Sequence, residues 1–172
     1  MRTSSTVRRC VLSAGALSAA LVLAACSGSG SVHVTAPAPT GTAARQCAAL
    51  QRQLPGTLHG EARRSTSPAS VYTAAWGDPA ITLRCGVSQP DVMNPAAPTY
   101  NPTAIGMDLN GLCWVSAQNS DGSYRFTTVK QQTFIEVDVP AAAQQTESPL
   151  PGLTGPVLKT DPVAADRTFD CA

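Results

Sequence analysis

Six cysteines in 172 residues limit this chain more tightly than any other feature. Cys10 lies in an N-terminal stretch with the marks of an export signal, and Cys26 stands at the end of that stretch. Arg2, Arg8 and Arg9 give it a positive start, and Val11 to Ala25 is an uncharged, largely apolar run. A run of about 15 residues falls short of the roughly 20 that a bilayer span needs, and has the size of a secretory signal core. It closes on Leu23-Ala24-Ala25-Cys26. A cysteine directly after a Leu-small-small triplet has the form of a bacterial lipobox. Residues 1–25 are therefore expected to be removed as a lipoprotein signal peptide, and Cys26 to carry the lipid. Several acyl chains on one residue anchor a protein stably, whereas a single chain binds reversibly. The expected address is extracytoplasmic, on the bacterial cell membrane.

Cys47, Cys85, Cys113 and Cys171 remain. An even set in an exported domain reads as two disulfides, which admit three pairings. Cys47–Cys171 with Cys85–Cys113 is the expected arrangement, since the first would staple both ends of the domain and the second would join two hairpins. Cys47–Cys113 stays open, because register puts Cys113 opposite Asp108 on the less apolar face. No C-x-x-C pair exists and no histidine neighbours a cysteine, so no metal site is expected. Each bridge contributes about 2–4 kcal/mol to a domain of this kind.

Composition narrows the function classes. Charged residues are 13% of the chain, about half the usual share. Without residues 1–25, nine basic side chains face eleven acidic ones. That balance excludes a basic nucleic-acid binder. Hydrophobic residues at 43% argue against wholesale disorder. Residues 26–41 run through Ser-Gly repeats into Ala-Pro-Ala-Pro and are expected to be a tether, with His33 solvated inside it. Residues 42–172 are then a single domain.

Hydrophobic periodicity predicts an α+β fold: an antiparallel sheet of five or six strands with short flanking helices. Thr42 to Leu54 reads as a helix, and residues 56–70 as a loop. Val71–Trp76 and Ile81–Val87 read as strands joined by Gly77-Asp78-Pro79-Ala80. Trp76 should then pair with Ile81, Ala74 with Leu83 and Tyr72 with Cys85. Residues 88–104, with four prolines, form a long loop of the kind that is often functional. Ile105–Leu109 and Leu112–Val115 flank Asn110-Gly111, the strongest short hairpin signal. Tyr124–Lys130 and Thr133–Val139 complete the strands, with Ile135, Val137 and Val139 facing in and Glu136 and Asp138 facing out. Pro149–Lys159 reads as a short helix, and Asp161–Ala172 as loop.

Motifs for catalysis, nucleotide binding and cofactor binding are missing from the sequence, among them G-x-S-x-G, H-E-x-x-H, S-x-x-K, G-x-G-x-x-G and the P-loop. No cofactor is expected. Arg63, Arg64, Asp78 and Arg84, with the 88–104 loop, are the candidate contact surface. Trp76 and Trp114 read as core rather than as sugar-stacking platforms. A catalytic alternative rests on His59, Glu61 and Asp78, as an envelope hydrolase or transferase.

A series of motifs resembles a known family. Leu54-Pro55, Arg63-Arg64, Ala74-Ala75-Trp76-Gly77-Asp78-Pro79-Ala80-Ile81 and Leu83-Arg84-Cys85-Gly86-Val87 open it. Leu109-Asn110-Gly111-Leu112-Cys113-Trp114, Thr127-Thr128-Val129 and Val137-Asp138-Val139-Pro140 continue it in order. Over residues 45–160 the chain is similar to the bacterial "domain of unknown function 3515" family of exported proteins, many of them lipoproteins. The resemblance implies an address and a domain extent, and no activity. The resulting expectation is a non-catalytic, lipid-anchored binding or assembly module whose partner is an envelope protein, a wall polymer or a small ligand. Cys26→Ser is expected to move the protein from the membrane fraction into the medium. Retention of that variant in washed membranes would exclude acyl anchoring.

Overall fold

The computed structural model describes residues 30–144 and 148–172. Residues 1–25, expected to be a signal peptide, and Cys26 lie outside the described residues. The chain enters as β1 (Val32–His33), crosses to α1 (Gly41–Gln53), and forms β2 (Thr57–Leu58), β3 (Glu61–Arg64) and β4 (Thr66–Ser67). Then come β5 (Thr73–Trp76), β6 (Ile81–Val87), β7 (Met107–Leu109), β8 (Leu112–Gln118), β9 (Tyr124–Thr128), β10 (Phe134–Val139) and α2 (Pro151–Thr160). Eight strands make one antiparallel sheet in the order β2-β3-β5-β6-β10-β9-β8-β7, and β1 pairs with β4 in parallel beside it. The fold is α+β, as expected, with more strands than the sequence suggested.

Turn chemistry sets the register. Gly77 has φ +76°, and the Gly77–Ala80 turn aligns Trp76 with Ile81 and Ala74 with Leu83. The Cys85 amide donates to the Tyr72 carbonyl, which extends the same pairing. Asn110 and Gly111 both have positive φ, the requirement of a type I′ hairpin, and bring Leu109 opposite Leu112 and Met107 opposite Trp114. The last strand, β10, returns to the middle of the sheet between β6 and β9.

Alternation then sorts the side chains. Trp76, Ile81, Leu83, Cys85, Leu112, Trp114, Ile135, Val137 and Val139 are all buried and share one face, here the inner face. α1 covers it with Cys47 and Leu50, and α2 with Leu153 and Val157. Trp76 is fully buried and satisfies its indole by donating to the Pro55 carbonyl at 2.9 Å. Ile105, read as the start of a strand, is 67% exposed, because β7 begins only at Met107.

The disulfides differ from the expected pairing. Cys47 bonds Cys85, with Cα atoms 5.5 Å apart, and Cys113 bonds Cys171, at 6.0 Å. The reason is facial. Cys85 points inward beneath α1, where Cys47 projects from the helix underside, so neither is available to Cys113 or Cys171. Cys113 pairs across from Asp108 and so turns to the other face. The tail reaches it by bridging Cys171 to Gly106 in parallel. A Cβ on Gly106 would stand 2.6 Å from the Cys113 sulfur, so only glycine leaves room for this bond.

Two segments read as irregular are ordered as strands. Residues 56–70 contain β2, β3 and β4, because His59 and Gly60 both adopt positive φ and fold β2 onto β3 as a tight hairpin. The stretch 30–40, expected to be tether, lies along the domain. The Val32 amide donates to Ser65 and the Val34 amide to Ser67, and Val34 is buried. Pro39 fills the space over Gly86, where any Cβ would approach within 2.6 Å.

The helical end of the fold carries a buried carboxyl. Asp161, just beyond α2, is 1% exposed and accepts the Thr133 amide at 3.1 Å. Burial pushes its carboxyl up to about 6, opposed by that hydrogen bond and by Arg167. The folded state therefore holds a proton that the unfolded chain has already released between about pH 4 and 6. Its stabilisation is complete below the unfolded value and is lost as pH rises through about 6. Across that window this group is expected to lower the unfolding free energy by on the order of 2 kcal/mol. Urea unfolding across the same range should show a shallower slope in Asp161→Asn, which still accepts the Thr133 amide but does not titrate.

Candidate binding groove

The outer face of the central strands carries charge where the inner face carries apolar bulk. Arg84 on β6 lies opposite Glu136 on β10, and Asp138 on β10 lies opposite Arg125 on β9. Residues directly opposite on one face of an antiparallel pair stand about 5 Å apart at Cβ, so the four side chains form one block. Arg84 Nη1 is 3.1 Å from Glu136 Oε1, and Arg125 Nε is 3.4 Å from Glu136 Oε2. Arg125 also donates to both oxygens of Asp138, at 2.8 and 3.1 Å. Such a two-bond fork is the strong geometry for a guanidinium on a carboxylate.

Burial within this block is uneven. The Glu136 side chain is 10% exposed, against 40% for Arg125. Burial pushes the Glu136 carboxyl up, and Arg125 and Arg84 pull it back. Arg125 is held charged more firmly than usual, chiefly by its hydrogen bond to Asp138. The sequence reading of Glu136 and Asp138 goes no further than that they face out. Their outward direction is right, but both are paired, because strands on either side bring an arginine to each.

The front of the 88–104 loop stands over this face. A single 3₁₀ turn at Asp91–Met93 shapes it, and the Gln89 side chain donates to the Met93 carbonyl. The Asn101 amide donates to the Val92 carbonyl at 3.0 Å, which folds the loop on itself. Between loop and sheet lies a groove of about 600 Å³. Arg84, Arg125, Glu136 and Thr127 form its floor, with Val92 and Thr99 on the loop side. Its chemistry is mixed: two guanidiniums and the Glu136 carboxylate on the floor, the Asp91 carboxylate on the loop side and apolar flanks, with no net charge in the lining as a whole. Such a lining selects by hydrogen-bond pattern and shape rather than by ligand charge.

The other sequence-derived candidates do not join it. Arg63 and Arg64 are neighbours on β3 and so point to opposite faces. The Arg63 guanidinium lies over the Trp76 ring at 5.3 Å, and partial burial lowers its affinity for the proton. Arg64 donates to the Gly77 carbonyl at 2.9 Å and to the Gly30 carbonyl at 2.7 Å, with Asp78 at 3.4 Å. Arg63, Arg64, Asp78 and Arg84 are thus not one contact surface. Arg84 belongs to the groove, and Arg64 and Asp78 belong to the turn that receives the N-terminal strand. Glu61 packs against Gly77, beside exposed Asp78, and His59 occupies the β2–β3 turn. Arg125 was not a candidate from sequence. Its signal was available in its parity with Thr127, which places it on the face of Glu136 and Asp138 once β9 is paired with β10.

Among the described residues, no cluster of three or more His, Cys, Asp or Glu side chains could hold a metal ion. No described helix is long and apolar enough to cross a membrane. Fold and groove together define a small disulfide-stapled α+β domain with a charged groove beneath a folded loop. The chain matches, over residues 9–165, the family described as "Protein of unknown function (DUF3515)", and belongs to it. No curated protein and no solved structure matches the chain.

Removing one partner of a buried ion pair leaves an uncompensated charge, whereas replacing both by apolar groups is often neutral. Arg84→Met is expected to cost about 2–4 kcal/mol by leaving Glu136 half-paired. The double variant Arg84→Met with Glu136→Leu is expected to recover most of that loss. A denaturant-unfolding double-mutant cycle checks this, and strict additivity of the two changes would count against the pairing.

Proposed function

We propose that this protein is a lipid-anchored, extracytoplasmic envelope protein, and that its work is non-catalytic binding in the groove beneath the 88–104 loop. The lipobox at Cys26 and the Arg-led apolar run before it support the address. The observation that carries the binding reading is the Arg84–Glu136–Arg125–Asp138 block. Arg84, Glu136 and Arg125 are organised on the floor of one groove, with Asp138 holding Arg125 from outside it, and a loop that is long for so small a domain roofs it. Hydrogen-bond donors and acceptors at fixed spacing suit a polar partner, such as an envelope protein segment or a wall polymer. The catalytic alternative draws on His59, Glu61 and Asp78, which gather near the turn end of the sheet. Glu61 and Asp78 are solvent-exposed there, where general acid–base chemistry gains little from its surroundings.

A photo-crosslinking amino acid placed at Val92 or Thr99 in living cells tests the groove. The expected result is a discrete adduct from these positions, its loss when Arg125→Ala is added, and no adduct from a probe at Val163. An adduct pattern indifferent to Arg125, or none from the groove, would overturn the reading.

A further inference from the structure

The way the chain enters the fold determines which part of the domain meets the membrane. Gly30 is already tied in: its carbonyl accepts from Arg64 Nη2 at 2.7 Å. Arg64 Nη1 donates at the same time to the Gly77 carbonyl at 2.9 Å and stands 3.4 Å from Asp78. Two residues on, the Val32 amide donates to Ser65 at 2.8 Å. One guanidinium therefore clamps the start of the domain to the turn between β5 and β6.

Four peptide steps separate Cys26 from Gly30. At no more than about 3.6 Å per step, they span about 14 Å at full stretch. The headgroup layer on one side of a bilayer is itself roughly 5–8 Å thick. A tether running on to residue 41 would have let the domain tumble at a distance. A leash that ends at Gly30 does not.

We propose that the sheet end carrying the turns 77–80, 119–123 and 140–142 is held against the phospholipid headgroups of the anchoring membrane. The proposal rests on acylation of Cys26. These three turns share one end because β5 runs into the first, β9 leaves the second and β10 ends at the third, with Trp76 beside Ile81 and Val139 beside Tyr124. Val71, before the start of β5, lies at the opposite end, about 20 Å away at 3.3 Å per strand residue. Glu61, Asp78 and Asp121 are exposed at the membrane end, and Arg64 there is engaged within the fold. Covalent attachment, rather than attraction to anionic lipid, thus holds this surface down. The groove, which runs along the outer face from Asn119 toward Val87, then opens sideways, parallel to the membrane plane.

The test uses the acylated protein purified from membranes and returned to phosphatidylcholine vesicles that carry a nitroxide on some headgroups. A fluorescent amino acid is placed at Ser120 in one variant and at Val71 in another, leaving the disulfides intact. Quenching is expected to be several-fold stronger at Ser120. A long Gly/Ser insertion between Ser29 and Gly30 is expected to abolish the difference. Equal quenching at the two positions in the native-length chain, with the lipid on Cys26 verified by mass, overturns the proposed orientation. A mass without acyl chains overturns the lipid-anchor reading beneath it instead.

Discussion

The bond between Cys47 and Cys85 fastens α1 to the centre of the sheet, and the arrangement of both faces depends on it. A helix of 13 residues is marginal by itself in water, and only Cys47 and Leu50 within α1 are buried. Covalent attachment over β6 makes that thin stripe sufficient. It also keeps α1 where α2 can lean on it, with Lys159 donating to Gln53 across the two helices. With both helices on one side, the apolar faces of β5, β6, β8 and β10 are sealed together.

Sealing one face leaves the other to polar chemistry. A two-layer domain has only one core to fill, and here most of the large apolar strand residues are drawn toward it. The outward positions of β6, β9 and β10 therefore carry Arg84, Arg125, Glu136 and Asp138. Their mutual pairing lets Glu136 lie almost out of reach of solvent without an unbalanced charge. Buried pairs of this kind add little net stability. They do hold side chains in fixed directions, and fixed directions are what recognition requires.

Local signals with strong chemistry were readable from sequence, and signals that need a partner strand were not. Asn110-Gly111 and Gly77–Ala80 specify their turns by backbone conformation alone, so the Trp76–Ile81 and Leu109–Leu112 registers follow directly. Glu61-Ala62-Arg63-Arg64 shows no alternation, because β3 lies near the sheet edge with little to bury. Val32-His33-Val34 sits between glycine-serine and proline-alanine tracts whose composition argues for a tether. Only the backbone of β4 makes the segment a strand. The disulfide pairing escaped for a similar reason: it depends on which face α1 covers. Of the groove, the 88–104 loop and Arg84 were legible as candidates. Arg125 and the engagement of Glu136 appear only when β10 returns between β6 and β9, a long-range connection that no local pattern encodes.

The bridge between Cys113 and Cys171 has a meaning beyond the stability it adds. The tail it secures pairs with the outermost strand: the Asp108 amide donates to Ala172, and the Ala172 amide to Gly106. Those bonds occupy backbone groups that an edge strand would otherwise offer to another chain. Reducing this one bond frees the tail, and with it a row of unpaired donors and acceptors beside Ile105 and Met107, both exposed. Colloidal behaviour, and not only folding free energy, is therefore coupled to the redox state of the compartment.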